Sequence, residues 1–151
     1  MTVLSSGADL HYLKDKRYIG DNVWYHDFDK ILTGMRPLMK DFPPAPSHTQ
    51  WTNWGYVHAP KRPDMAYSME DDFYLALYGA WPDPVDDEKY TNFVTERMRA
   101  LAPFSTGSQL ADCNLMNRPA RFMSEKNLKR LDKLRAKWDP DGVFPDYFGR
   151  P

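Results

Sequence analysis

The run Phe73-Tyr74-Leu75-Ala76-Leu77-Tyr78-Gly79-Ala80-Trp81 constrains the fold more than any other stretch of the chain. Successive residues of a strand point to opposite faces. Phe73, Leu75, Leu77, Gly79 and Trp81 therefore share one face, and Tyr74, Ala76, Tyr78 and Ala80 the other. Both sets are largely apolar, so both faces need cover. The pattern predicts one long strand over 66–81, with Asp71-Asp72 as a bulge or a polar edge. Helices are expected on one face. The other needs a different lid, for which a cofactor or a substrate is a candidate.

The helices to cover such a strand are present. Phe28, Ile31, Leu32, Met35, Leu38, Met39 and Phe42 form a stripe at helical spacing behind Asp27, which can cap it. Pro37 predicts a kink or a second short helix, because proline breaks a helix interior. A second helix opens at Asp86 or Asp87 and ends at Pro103, with Tyr90, Phe93, Val94 and Leu101 facing inward. A third follows Ser124, a plausible cap. Leu128, Leu131, Leu134 and Trp138 give it one apolar face, and Pro140 stops it. By pattern alone this is a terminal helix closing a core.

Further strands are expected over 49–58, rich in aromatics and β-formers, and near 109–114. Residues 1–26 carry apolar side chains without a period. They read as an extended arm with a short strand near 9–13, of the kind that lies across a partner. The layout is helix, two strands, helix, strand, helix. It predicts an α+β fold in which an antiparallel sheet carries helices on one face. The arm 1–26 would precede a single domain over 27–151.

Composition narrows the function. A net charge of −1 over 151 residues offers no electrostatic case for nucleic acid or an anionic membrane. The one cysteine, Cys113, excludes an internal disulfide and permits a reducing compartment, so a cytoplasmic location is expected. There is no secretory leader pattern, no apolar run long enough to span a bilayer and no nucleotide-binding glycine loop. His11, His26, His48 and His58 lack the short mutual spacings of a metal site, so no metal is expected. Trp54, Tyr56 and His58 would form an aromatic wall with one titratable end if they share a strand face; core aromatics beside a surface histidine are the alternative.

The order of residues in the tail adds a resemblance. Asn127-Leu128-x-Arg130-Leu131, followed by Lys137-Trp138-Asp139-Pro140-Asp141-Gly142-x-Phe144, resembles the tail of the berberine-bridge-enzyme-like oxidases. These are FAD-linked enzymes of the vanillyl-alcohol-oxidase superfamily. Trp138 stands where the family commonly has tyrosine, and Gly142 where it has an asparagine close to the flavin. Tyr74–Trp81 is similar to a family strand, and Asp86 through Ser105 to the helix after it. Where the family has Tyr-x-Asn-Tyr, this chain has Leu110-Ala111-Asp112-Cys113. The similarity runs over about 64–144.

The resemblance implies half of a flavin-oxidase substrate domain, whose sheet roofs the flavin ring. The FAD-binding domain of the complete enzymes has no counterpart here, so FAD is expected to be held mainly by a partner chain in a hetero-oligomer. Tyr74 aligns with the family's catalytic base. A phenol has a pKa of ~10 and would need it lowered toward neutrality to serve so; a pocket-lining aromatic is the alternative. Ala76, Tyr78, Asp112 and Cys113 would contact substrate, along with Trp54, Tyr56 and His58. Asn127, Gly142 and Phe144 would approach the cofactor. The implied function is the substrate-binding roof of an FAD-dependent oxidoreductase, taking a hydride from an alcohol, amine or sugar-like substrate. A non-catalytic ligand-binding or assembly module is the alternative.

Overall fold

The computed structural model describes residues 14–53, 66 and 69–146. In chain order these form strand β1 (Arg17–Tyr25), helix α1 (Phe28–Leu38), strand β2 (His48–Asn53), strand β3 (Phe73–Trp81), helix α2 (Asp87–Leu101) and helix α3 (Glu125–Trp138). The sheet is antiparallel with order β1-β3-β2. The strand apolar on both faces therefore sits in the centre, with a neighbour on each side. The fold is α+β, as expected.

The odd-numbered face of β3 carries the main core. Leu75 and Leu77 pack with Val23 and Tyr25 of β1, Ile31 and Met35 of α1, and Val94, Met98 and Leu101 of α2. Every one of these side chains is essentially inaccessible to water. Burying a large aliphatic side chain is worth about 1.5–3 kcal/mol, so this layer is the main source of stability. Asp27 caps α1 by accepting from the Lys30 backbone N–H at 3.0 Å. The helix passes Pro37 and stops at Leu38. No second helix follows, because Pro37 falls in the last turn, where the helix is ending anyway. Arg97 of α2 takes over there. It donates to the carbonyls of Leu38 at 2.7 Å and Lys40 at 3.2 Å, tying the end of one helix to the flank of the next.

Three expectations need correcting. The strand expected over 66–81 is confined to Phe73–Trp81. Asp71 and Asp72 precede it and meet His26 at the end of β1, with His26 Nδ1 2.7 Å from Asp72. The stretch 109–114 forms turns, not a strand. Just before that, one isolated backbone bridge pairs Gly107 with Trp24 of the sheet. Gly107 is needed at this point, since a Cβ there would lie 2.7 Å from the Arg121 carbonyl oxygen. Finally, residues Arg17–Tyr25 of the expected arm are an integral strand. β1 pairs with β3 along its whole length. Its period was hidden because residues 21–25 are all buried, polar ones included. Asp21 is neutralised by Arg118, whose Nε donates to it at 2.7 Å; both side chains are buried. The expected strand near 9–13 lies outside the described residues, as do residues 54–58 of the other expected strand.

α3 begins where expected. Ser124 Oγ accepts from the Asn127 N–H at 3.3 Å. The helix does not close a core, however, as none of its residues is buried. Leu134 is 45% and Trp138 71% exposed. Beyond it Asp139 accepts from the N–H groups of Val143 and Phe144, and Arg135 donates to the Phe144 carbonyl at 2.7 Å. Gly142 sits in this hook at φ +65°, in the left-handed region. The hook holds Val143 and Phe144 outward. Among the described residues, no helix is long and apolar enough to cross a membrane.

Candidate functional site

The even-numbered face of β3 has no helix of the described chain against it. Register fixes what lies there. Tyr74 stands between Trp24 on β1 and Thr52 on β2, Ala76 between Asn22 and Gln50, and Tyr78 between Gly20 and His48. Trp24, Tyr74, Ala76 and Tyr78 form a small second cluster. The Trp24 and Tyr74 rings lie 5.0 Å apart and tilted. His48 stacks on Tyr78 at 4.8 Å, while its Nδ1 donates to the Pro46 carbonyl.

The segment that follows Gly107 folds over the β1 side of this face and leaves a crevice of about 290 Å³. Trp24, Tyr74, Gln50 and Thr52 line it from the sheet. Glu70, Gln109 and Asp112 line it from the flanking segments. The Tyr74 hydroxyl donates to Asp112 Oδ2 at 3.0 Å. Burial pushes the phenol well above its ordinary value, and the nearby Tyr78 and Asp112 push it further the same way. This is the opposite of what a tyrosine base requires. Of the two groups the carboxylate is the proton acceptor, and the phenol is a donor held against it. The crevice can thus take a flat or ring-shaped ligand along an aromatic wall, and offers it carboxylate, amide and hydroxyl groups at the rim.

Of the expected site residues, Tyr74 and Asp112 meet in the crevice. Ala76 and Tyr78 lie farther along the same face. Cys113 does not join them. It lines a separate depression with Leu110, Asn114, Leu115 and Met116, because the turn after Asp112 carries it away. Asn127 is in the first turn of α3 and donates to the Ala66 carbonyl at 3.4 Å. Neither it nor Gly142 or Phe144 lines the crevice. Trp54, Tyr56 and His58 lie outside the described residues. Sequence reading missed Trp24, Gln50, Thr52, Glu70 and Gln109. Trp24 carried no usable signal, since the arm it lies in shows no alternation that would assign it a face. Gln109 and Glu70 carried none, being brought in by irregular chain.

Together these features define an α+β layer domain with a crevice on the sheet face that carries no described helix. Comparison with known proteins finds a family match. Residues 89–146 match the family described as "Berberine and berberine like". The chain is 32% identical over 127 residues to the FAD-linked oxidoreductase ptmO of Penicillium ochrochloron, covering 84% of this chain and 28% of that protein. It is 31% identical over 127 residues to the FAD-linked oxidoreductase penO of Penicillium crustosum, with the same coverage. A bacterial relative, an FAD-linked oxidoreductase of Bacillus subtilis, is 25% identical over 129 residues, 82% of this chain and 29% of that protein. The chain carries a berberine-like region and is similar to FAD-linked oxidoreductases, and it spans less than a third of the length of these curated relatives.

Proposed function

We propose that this chain supplies the substrate-facing wall of a flavin-dependent oxidoreductase, with FAD held mainly by a flavin-binding domain outside it. The observation that carries this reading is the asymmetry of the sheet. One face of β3 is sealed by the chain's own helices. The other is aromatic, covered by irregular chain instead of helices, and keeps a crevice beside the Tyr74–Asp112 pair. A flat ring suits that face. The phosphates of FAD do not, since the described glycines stand singly along the chain and form no glycine-rich loop at a helix start. The apolar face of α3 and its hook, exposed here, would then meet the flavin-binding domain.

Flavin, when bound, supplies a two-electron acceptor. The chain's residues do the rest. Trp24 and Tyr74 hold the substrate ring, and Gln50, Thr52 and Glu70 fix its polar groups. An alcohol, amine or sugar-like substrate gives up its proton to the Asp112 carboxylate as its hydride equivalent leaves. Tyr74 keeps that carboxylate turned inward.

The test is co-expression with a flavin-binding domain of a relative, followed by the visible flavin spectrum and anaerobic reduction by candidate substrates. A yellow complex is expected. In it Asp112→Asn should slow reduction by roughly 10²–10⁴-fold, the range for a lost proton acceptor. Tyr74→Phe should cost less. Equal small effects in both variants would remove the pair from the mechanism. A colourless, stable single chain that binds an aromatic or sugar ligand would replace this reading with a binding module.

A further inference from the structure

We propose that Asn22 is a positioning residue for Asp112, fixing the carboxylate against Tyr74; this rests on the reading of the crevice above. Asp112 lies in chain that forms neither helix nor strand, so no backbone ladder holds it in place. Asn22 holds it instead. Its side chain is completely buried on β1, on the same sheet face as Trp24. It uses its full hydrogen-bonding capacity on the segment 108–112. Oδ1 accepts from the Gln109 N–H at 2.7 Å and from Ser108 Oγ at 3.1 Å. Nδ2 donates to the Gln109 carbonyl and to the Asp112 carbonyl, both at 2.9 Å.

An asparagine amide has two donor hydrogens and two acceptor sites, and here all four are engaged. Few other residues can do this. Aspartate has the same shape but no donor, and would face the carbonyls of Gln109 and Asp112 with negative charge. Alanine would leave those groups unpaired in a buried place. The contact to Asp112 is made on its backbone, so the side chain stays directed at the Tyr74 hydroxyl 3.0 Å away. Two strand-borne residues, Asn22 and Tyr74, thus locate Asp112 from both of its ends. Asp21, next in the chain, anchors the same region through Arg118, which also donates to the Asn22 carbonyl at 2.8 Å. That pair braces the segment but makes no hydrogen bond to Asp112.

The Tyr74 phenol reports on this directly. In the full chain, Tyr74 is followed by carbon NMR of its hydroxyl-bearing ring carbon against pH, assigned by its loss in Tyr74→Phe. The wild-type signal should stay that of the protonated phenol into strongly alkaline solution. Asn22→Ala, and the milder Asn22→Ser, should bring the midpoint down by roughly one to three pH units as Asp112 moves off and water enters. Asp112→Asn should do the same with Asn22 intact. A folded Asn22 variant whose Tyr74 titrates like wild type, while Asp112→Asn shifts, would overturn the proposal. Collapse of the fold in both Asn22 variants would also overturn it, by making Asn22 a residue of the fold alone. No shift in Asp112→Asn would instead refute the Tyr74–Asp112 pairing, and with it the parent reading.

Discussion

Tyr25 lies in the sealed layer of the sheet, with its ring stacked on Phe73 at 5.4 Å. Burial pushes its phenol from an ordinary 10.0 up to about 12. The folded chain therefore holds this proton more tightly than the unfolded chain does. The stabilisation is fully present below pH 10 and is lost as pH rises through about 12. Tyr74, raised in the same direction, adds to the trend. Urea unfolding at a series of pH values should show stability falling across this window, and Tyr25→Phe should flatten part of the fall. An unchanged slope would mean that Tyr25 is not buried as described. The residue scale is also where the sequence was most and least legible. Tyr74 and Asp112 were both legible as candidates from position and resemblance, and they meet in the crevice. Their division of labour was not, because the direction of a pKa depends on burial and on partners from distant parts of the chain. Asn22 looked like an unremarkable polar residue in an unpatterned arm. Only the fold shows that all four of its hydrogen bonds are used.

The elements tell a similar story through their edges. α1, α2 and α3 announced themselves by stripe and cap: Asp27 and Ser124 cap as expected, and Val94 and Leu101 turn inward. β1 was hidden, since Asp21 and Asn22 are polar residues buried in a strand, and hydrophobic alternation cannot reveal a strand whose polar groups are paired inside. The chain around Gly107 was hidden for another reason. Its contact is one bridge, Trp24 N–H to the Gly107 carbonyl at 2.7 Å, answered by Thr106 N–H to the Trp24 carbonyl at 2.8 Å. No periodic pattern records a single bridge. Its importance is testable. In Gly107→Ala the new methyl meets the Arg121 carbonyl and the Met69 side chain, and overpacking of this kind costs roughly 1–3 kcal/mol. Thermal unfolding should show the loss. A variant as stable as wild type would mean that the segment over the crevice is not seated on β1 at Trp24.

On the scale of the whole molecule, the described chain leaves apolar side chains exposed along its last helix. Leu134, Trp138, Val143 and Phe144 are exposed along α3 and its hook, within the stretch that matches the family. Exposed apolar residues gathered in this way mark a contact surface. The chain alone should bind the dye ANS, and Trp138→Lys should weaken that binding while leaving the unfolding midpoint nearly unchanged. Equal dye binding by the variant would move the sticky surface elsewhere. The central strand has a further consequence for anyone mutating the protein. Along β3, whether a position is odd or even should decide what kind of defect follows. Truncations at Leu75 or Leu77 should open cavities in the helix-covered core and yield chains that melt early, whereas Tyr74→Phe, which keeps the ring and removes only the hydroxyl at the crevice, should melt close to wild type. Room for inheritable variation on this strand is therefore narrow, and lies in the polar tips that reach the crevice more than in the rings and methyl groups packed beneath them.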